Sequence, residues 1–181
     1  ALQKVGNDIR NSIVAIGVSG QQHGFVPIDK AGEVLAPVKL WCDTSTGPEC
    51  DAITDAFGGV DACIAEVGNP VLPGYTASKV RWFRDAKPGR YAQMDSILLP
   101  HDYLNFYLTG ERCMEAGDAS CTCFLDIRTL QWSEKMIAAI DPDRDLRECL
   151  PDVRQGNEPI VVLLPTIAEE LGLTAGVPVS I

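Results

Sequence analysis

Residues able to do chemistry gather in polar clusters along the chain. The first is Gly17–Val26, GVSGQQHGFV, where Gln21, Gln22 and His23 lie between an apolar run and the apolar pair Phe25 and Val26. Glutamine and neutral histidine each offer a donor and an acceptor. Such groups suit a polyhydroxyl ligand, because every hydroxyl both gives and accepts. Gly20 and Gly24 would let the backbone turn tightly and a ligand come close. The competing reading is a hairpin whose polar tip faces water. The second cluster is WCDTST, Trp41–Thr46. Asp43 there is either a hydroxyl acceptor beside a stacking ring, or, with Thr44, a cap for a helix starting near Pro48. The third is Gly68–Trp82, a stiff Pro-Gly loop before a helix. Tyr75 at its end either presents its hydroxyl to a ligand or packs.

Other chemistries lack their motifs. The sequence has no GxxxxGK[ST] phosphate loop, no GxGxxG and no HExxH, and the glycines at 17, 20 and 24 have the wrong spacing for either phosphate motif. Seven cysteines leave at least one thiol outside any intramolecular disulfide. No CxxC pair exists, and with His23 and His101 the only histidines a zinc site is poorly supported. The cysteines read as free, partly buried thiols of a reducing cytosol. A net charge of −10 with scattered Lys and Arg argues against a nucleic-acid surface. No apolar run approaches the ~18 residues of a membrane span, and no charged-then-apolar leader is visible. At 181 residues, 46% hydrophobic and 22% charged, the chain is near the size of one domain and can bury a core without disulfides or metals.

The elements that must position these clusters alternate between strand and helix, which predicts an α/β domain. Ile13–Val18 reads as a buried strand, and Phe25–Ile28 as its antiparallel partner, with Pro27 marking an edge or bulge. Asp29–Gly32 has the signature of a type I turn, and Val38–Trp41 reads as a third strand. Leu2, Val5 and Ile9 predict an amphipathic helix over 2–11. Further helices are expected over 48–57 and 60–66. Another runs from a Thr76 cap to about Ala86, burying Ala77, Val80 and Phe83. Asp102–Thr109 has Leu104, Tyr107 and Leu108 on one face and Gly110 as its stop. Ser133 caps a helix ending at Asp141-Pro142. Thr166–Glu169 is a capping box, Gly172 a C-terminal stop, and Val177–Ile181 a strand. A strand cut off at the last residue, and a helix with no strand before it, suggest an internal piece of a longer protein.

Taken in order, these segments resemble the carbohydrate kinases of the FGGY family, and among them the xylulokinases. GVSGQQHGFVPIDKAGEVLAPVKLWCDTST resembles their strand-hairpin-strand near the sugar, and GNPVLPGYTASKVRWFRD their loop and Lys-x-x-Trp helix, here Lys79 and Trp82. LLPHDYLNFYLTGE, DASCTCFLDIRTLQWS and GVPVSI follow in the family's order. The resemblance implies an RNase-H-like α/β fold of the actin and hexokinase type, with a mixed sheet flanked by helices. Residues 1–181 would be part of the N-terminal sugar-binding domain, without the nucleotide-binding C-terminal domain. It places Gln22 and His23 on a ketose, although many members have Met at the position of Gln22. Trp41, Asp43 and Thr46 match a W-N-D-x-R-T pattern that Cys42 and Ser45 depart from, so Asp43 is a sugar-side candidate. His101 stands where Lys is common and reads as structural.

The implied activity is transfer of the γ-phosphate of ATP, with Mg2+, to the 5-hydroxyl of D-xylulose. Glycerol, gluconate or ribulose is the alternative substrate, and a non-catalytic module of the same fold the alternative class. The family's Asp-x-Gly-Thr phosphate loop would precede Ala1, and its catalytic Asp, in a Gly-Gly-Asp stretch, would follow Ile181. The 181 residues alone are therefore expected to bind neither ATP nor metal and to be inactive. A small-molecule sugar partner, a cytoplasmic location and a homodimer are also implied.

Overall fold

The structure is a computed structural model that describes residues 2–156 and 159–180. Its helices are α1 (Asn7–Asn11), α2 (Gly47–Phe57), α3 (Val60–Val67), α4 (Thr76–Ala86), α5 (Pro88–Tyr91), α6 (Pro100–Thr109), α7 (Ala116–Ser120), α8 (Glu134–Ile140) and α9 (Pro165–Leu171). Its strands are β1 (Ile16–Gly17), β2 (Val26–Ile28), β3 (Ser96–Leu98), β4 (Cys113–Glu115), β5 (Leu125–Asp126), β6 (Gln131–Trp132), β7 (Asp152–Arg154), β8 (Pro159–Val162) and β9 (Pro178–Ser180). The α/β class is as the alternation predicts. Among the described residues the strands form four small sheets rather than one. The mixed one has the order β1-β9-β8, and the others pair β2 with β3, β4 with β7 and β5 with β6.

The largest core lies among α2, α3, α4 and α8. Ala77, Val80 and Phe83 of α4 are buried there with Ile53, Val67, Phe124, Met136 and Ile140. Phe83 meets Phe25 and Tyr91 edge-on, with ring centroids 5.5 and 6.2 Å away, a favoured aromatic geometry. Ser133 caps α8 by accepting from the Met136 amide. Gly110 and Gly172 end α6 and α9 in the left-handed region, as expected of C-terminal stops. All seven cysteines are free, with Cys42 exposed and five others buried.

The Asp29–Gly32 turn forms as read. Asp29 Oδ1 accepts from the amides of Ala31 and Glu33, and the Gly32 amide closes on the Asp29 carbonyl at 3.0 Å. Gly32 has φ +85°, and a Cβ there would stand 2.8 Å from the Phe106 ring. The chain beyond the turn runs back along β2, but only as bridges at Val34 and Lys39. The expected strand Val38–Trp41 is thus reduced to one bridge. Pro27 turns its carbonyl, which accepts from Leu35, toward this irregular arm. Val26 and Ile28 flank it in register with Leu98 and Ser96.

Several expectations are corrected. Only Ile16–Gly17 of the run Ile13–Val18 is strand, and Val14 is 80% exposed. β1 pairs in parallel with β9, not with β2, whose partner is β3. The two apolar runs serve different cores: Ile13 and Ile16 pack with Leu163, Ala168, Val177 and Val179, whereas Val26 and Ile28 pack with Leu98. Residues 2–11 split into a 3-10 turn, Leu2–Lys4, and α1, because Gly6 between them is extended. Thr76 and Thr166 are not caps; the N-cap residues are Tyr75 and Leu164, without side-chain capping bonds. Helix α6 starts at Pro100 and turns Leu104 and Tyr107 outward. Its buried face is polar: His101, Asp102, Asn105 and Thr109. The predicted strand at Val177–Ile181 forms as β9, Ile181 lying outside the described residues.

Phe83→Ala should destabilise the protein by about 3–5 kcal/mol, the usual cost of emptying a buried aromatic site. Val14→Ala should change stability by less than about 0.5 kcal/mol. Urea unfolding of both variants checks the two magnitudes together, since a buried strand over Ile13–Val18 would make the second substitution costly as well.

Candidate functional site

The corner between β1 and β2 turns at an unexpected residue. Neither Gly20 nor Gly24 has a positive φ; His23 does, at +64°. A side chain in that left-handed region costs on the order of 1–2 kcal/mol, so the surroundings must hold it. The two glycines serve packing instead. A Cβ on Gly20 would lie 2.5 Å from the Cβ of His101, and one on Gly24 2.5 Å from Cγ of Pro100. The corner is therefore pressed onto the first turn of α6. It is not a hairpin tip, because the strands on either side belong to different sheets.

His23 is fixed on three sides. Its ring stacks on Tyr75 with centroids 4.3 Å apart and an interplanar angle of 21°. Its Nδ1 lies 3.0 Å from the carbonyl of Cys121, just after α7. A carbonyl only accepts, so Nδ1 carries the proton and Nε2 is left as a bare acceptor. Burial, with the nearby Lys79 charge in support, keeps the pKa below 6.5 and the ring neutral at pH 7. The third hold is on the backbone: the His23 carbonyl accepts from Lys79 Nζ at 2.7 Å.

Lys79 is the hub. It sits on the buried face of α4, fully out of water. Its ammonium also donates to the Gly74 carbonyl at 2.5 Å. Two chain segments far apart in sequence are thereby tied to one cation. Burial lowers its pKa to about 8, which the Asp43 carboxylate opposes.

Asp43 lies on the loop that meets Gly74. A Cβ on Gly74 would stand 3.0 Å from the Trp41 carbonyl, so the loops 41–46 and 68–75 touch. Thr46 Oγ1 donates to the Pro73 carbonyl at 2.9 Å and strengthens that contact. Asp43 does not cap α2; the N-cap is Thr46, without a side-chain capping bond. Instead Asp43 Oδ2 accepts from Lys39 Nζ at 2.8 Å, and Oδ1 from the Ser45 amide and hydroxyl at 3.0 and 2.6 Å. These bonds hold its carboxyl well below the usual carboxylate range. Lys39 in turn sits 4.1 Å over the Trp82 ring. Trp41 leaves 57% of its surface open, as a ring offered for stacking would.

The sequence matches the N-terminal domain of the FGGY family of carbohydrate kinases over residues 1–181. This chain belongs to that family. It is 41% identical over 170 residues to the xylulose kinase of Haemophilus influenzae, covering 94% of this chain and 34% of the relative. A solved xyloylose kinase from Brucella ovis superposes with a TM-score of 0.84 at 33% identity, over 96% of this chain and 34% of that one. A gluconate kinase from Lactobacillus acidophilus gives 0.82 at 22% identity, over 98% and 35%, a likeness of fold alone. The fold is accordingly that of FGGY sugar kinases, of the actin and hexokinase type. The chain spans about a third of the length of the curated relatives it matches.

In this FGGY domain, the structure brings His23 and Tyr75 into direct contact. Asp43 is related to them only indirectly, through the loop contact between Trp41 and Gly74 and its charge near Lys79. Gln22 lies exposed at the rim, its carbonyl accepting from the Gly24 amide. The hub Lys79, the Cys121 carbonyl and the first turn of α6 carry roles that residue-by-residue reading did not assign. A signal for Lys79 existed: it lies between Ala77 and Val80, two residues of the buried stripe. The residues of this corner do not fit ATP and magnesium. Gly20 and Gly24 are packed against α6, both site lysines are already bonded, and among the described residues no group of His, Cys, Asp and Glu is placed to hold a metal ion.

The buried ammonium makes a pH prediction. In the unfolded chain Lys79 titrates near 10.5 and in the fold near 8, so between these values the unfolded state binds more protons and stability rises with pH. Wild type should gain on Lys79→Met by up to about 3 kcal/mol from pH 8 to 10.5. Urea unfolding of both proteins across that range measures the difference; a flat difference would mean that Lys79 titrates normally.

Proposed function

We propose that this chain forms the sugar-side wall of an ATP-dependent kinase that phosphorylates D-xylulose at its 5-hydroxyl, giving D-xylulose 5-phosphate. The observation that carries the reading is the neutral His23 ring, stacked on Tyr75 and held in one tautomer with Nε2 bare. An acceptor of this kind takes a sugar hydroxyl as donor. Gln22 at the rim supplies both donor and acceptor to a neighbouring hydroxyl. The likeness to proteins named xylulose kinase supports a ketopentose.

A neutral sugar suits the site better than an acid such as gluconate. Lys79 and Lys39 are bonded to backbone carbonyls and to Asp43, which leaves no free cation among these groups for a substrate carboxylate. The nucleotide-binding part and the aspartate that accepts the hydroxyl proton belong, in this reading, to further chain, consistent with the third of the relatives' length spanned here. Closure of two such parts would exclude water from the reaction. A cytoplasmic setting agrees with seven unpaired cysteines, and no helix among the described residues is long and apolar enough to cross a membrane.

The test is ATP-dependent phosphorylation by the full-length protein of D-xylulose, ribulose, glycerol and gluconate in parallel. The reading requires the highest kcat/KM on D-xylulose. His23→Ala should lower kcat/KM for that sugar about 5- to 30-fold, the loss of one hydrogen bond worth about 1–2 kcal/mol. The KM for ATP should stay near wild type. An unaltered kcat/KM would remove His23 from the site.

A further inference from the structure

The first turn of α6 holds a buried charged group that the proposed reaction does not use. His101 is 6% exposed and Asp102 fully buried. His101 Nε2 lies 3.1 Å from the Val18 carbonyl. On the other side of the ring, Nδ1 lies 3.5 Å from Asp102 Oδ1 and 3.8 Å from Asp118 Oδ2 of α7. Each of these groups is an acceptor, so a ring protonated on both nitrogens suits them all. Nδ1 and Asp102 Oδ1 are buried without a hydrogen-bond partner, and charge is what relates them. Asp102 Oδ2 meanwhile accepts from the Leu99 amide at 2.7 Å and anchors the helix start.

We propose that His101 is a positioning residue for the sugar corner, tying its Val18 end to α6 and α7 and, through α7, setting the ring of His23. The contacts run without a gap. Gly20 rests on the Cβ of His101. Asp118, next to the His101 ring, belongs to α7, and Cys121 at the end of α7 supplies the carbonyl that fixes the His23 tautomer. The functional consequence rests on the sugar-kinase reading; the structural link does not.

The link has a pH window. Asp102 chiefly, with Asp118, raises the His101 pKa above 6.5 against burial, and burial pushes Asp102 up to about 6 against the imidazolium. Cys113 of β4 also faces Asp102 and stays a thiol, pushed up to about 11. His23, facing Lys79 and Asp118, stays neutral. The brace thus carries both charges only between about pH 6 and the raised His101 value. Below it Asp102 is protonated. Above it a neutral ring can donate to one side alone.

The experiment follows the assigned imidazole nitrogen resonances of His23 and His101 in the full-length protein against pH in wild type, His101→Gln and His101→Lys. All three keep the Cβ on which Gly20 rests. In wild type, His101 should titrate above 6.5 and His23 should show a single Nδ1–H tautomer. In His101→Gln the His23 signal should move toward the mixed tautomers of free imidazole. His101→Lys should restore it, because Lys keeps a cation there throughout. An unchanged His23 signal in His101→Gln overturns the proposal. If that variant does not fold, Asp118→Asn breaks the same brace from its more open side, and an unchanged tautomer there overturns it equally. In parallel, D-xylulose affinity should fall about tenfold in His101→Gln and stay within about threefold in His101→Lys; equal affinity in all three removes the functional part. Absence of xylulose binding by wild type would instead count against the sugar reading, with the resonances still deciding the link.

Discussion

The ammonium of Lys79, held out of water, is the constraint on which the site depends. Removing such a charge from water costs several kcal/mol unless hydrogen bonds replace its hydration. Here the replacements are two backbone carbonyls, from His23 and Gly74. Neither segment can move without leaving the cation short of a partner. The bond also accounts for the backbone at His23: a left-handed residue turns its carbonyl inward, to Nζ, while its ring lies along Tyr75. The cost of that φ is thus offset by bonds that the ordinary conformation would not make.

A second constraint acts from the opposite side. Helix α4 pulls the corner inward through Lys79, and α6 limits how far it can go. The limit is steric, since Gly20 and Gly24 already touch His101 and Pro100 at distances that leave no room for a Cβ. Helix α7 adds the carbonyl that selects the His23 tautomer. The corner has little regular structure of its own, yet three helices fix it.

How much of this was legible depended on how local the cause was. The helices α2, α3, α4 and α8 follow the apolar spacing of their own residues, and the Asp29–Gly32 turn and the glycine stops at 110 and 172 follow short-range chemistry. The strand Ile13–Val18 failed because its pairing is settled by β9, some 160 residues later. Helix α6 formed with its Gly110 stop, but its start and its buried face were not legible. Its apolar stripe of Leu104 and Tyr107 is real, but the helix start is fixed by Asp102 bonding the Leu99 amide, which turns the polar His101 and Asn105 inward. Among the candidate residues, His23, Tyr75 and Asp43 were singled out by type, and the structure puts His23 and Tyr75 in contact. What joins them was not, because the sequence names Lys79 only within a Lys-x-x-Trp helix and does not show the two carbonyls it bonds.

The charges of the site have a consequence for recognition. Lys79 is spent on carbonyls and Asp43 on Lys39 and Ser45, so each charge is balanced within the protein. The groups that the proposed reading offers to a ligand are neutral: the Nε2 acceptor of His23, the Gln22 amide and the ring of Trp41. On that reading the site gains nothing from ligand charge and would discriminate by the direction of each hydroxyl. Direction is useful only if the protein groups do not yield. A His23 free to exchange tautomers would accept a misplaced hydroxyl by switching from acceptor to donor. The Cys121 carbonyl prevents that switch, and Lys79 prevents the backbone from following. On the proposed reading the buried cation is therefore tied to selectivity as well as to fold: it fixes an acceptor in place without presenting a charge to the ligand.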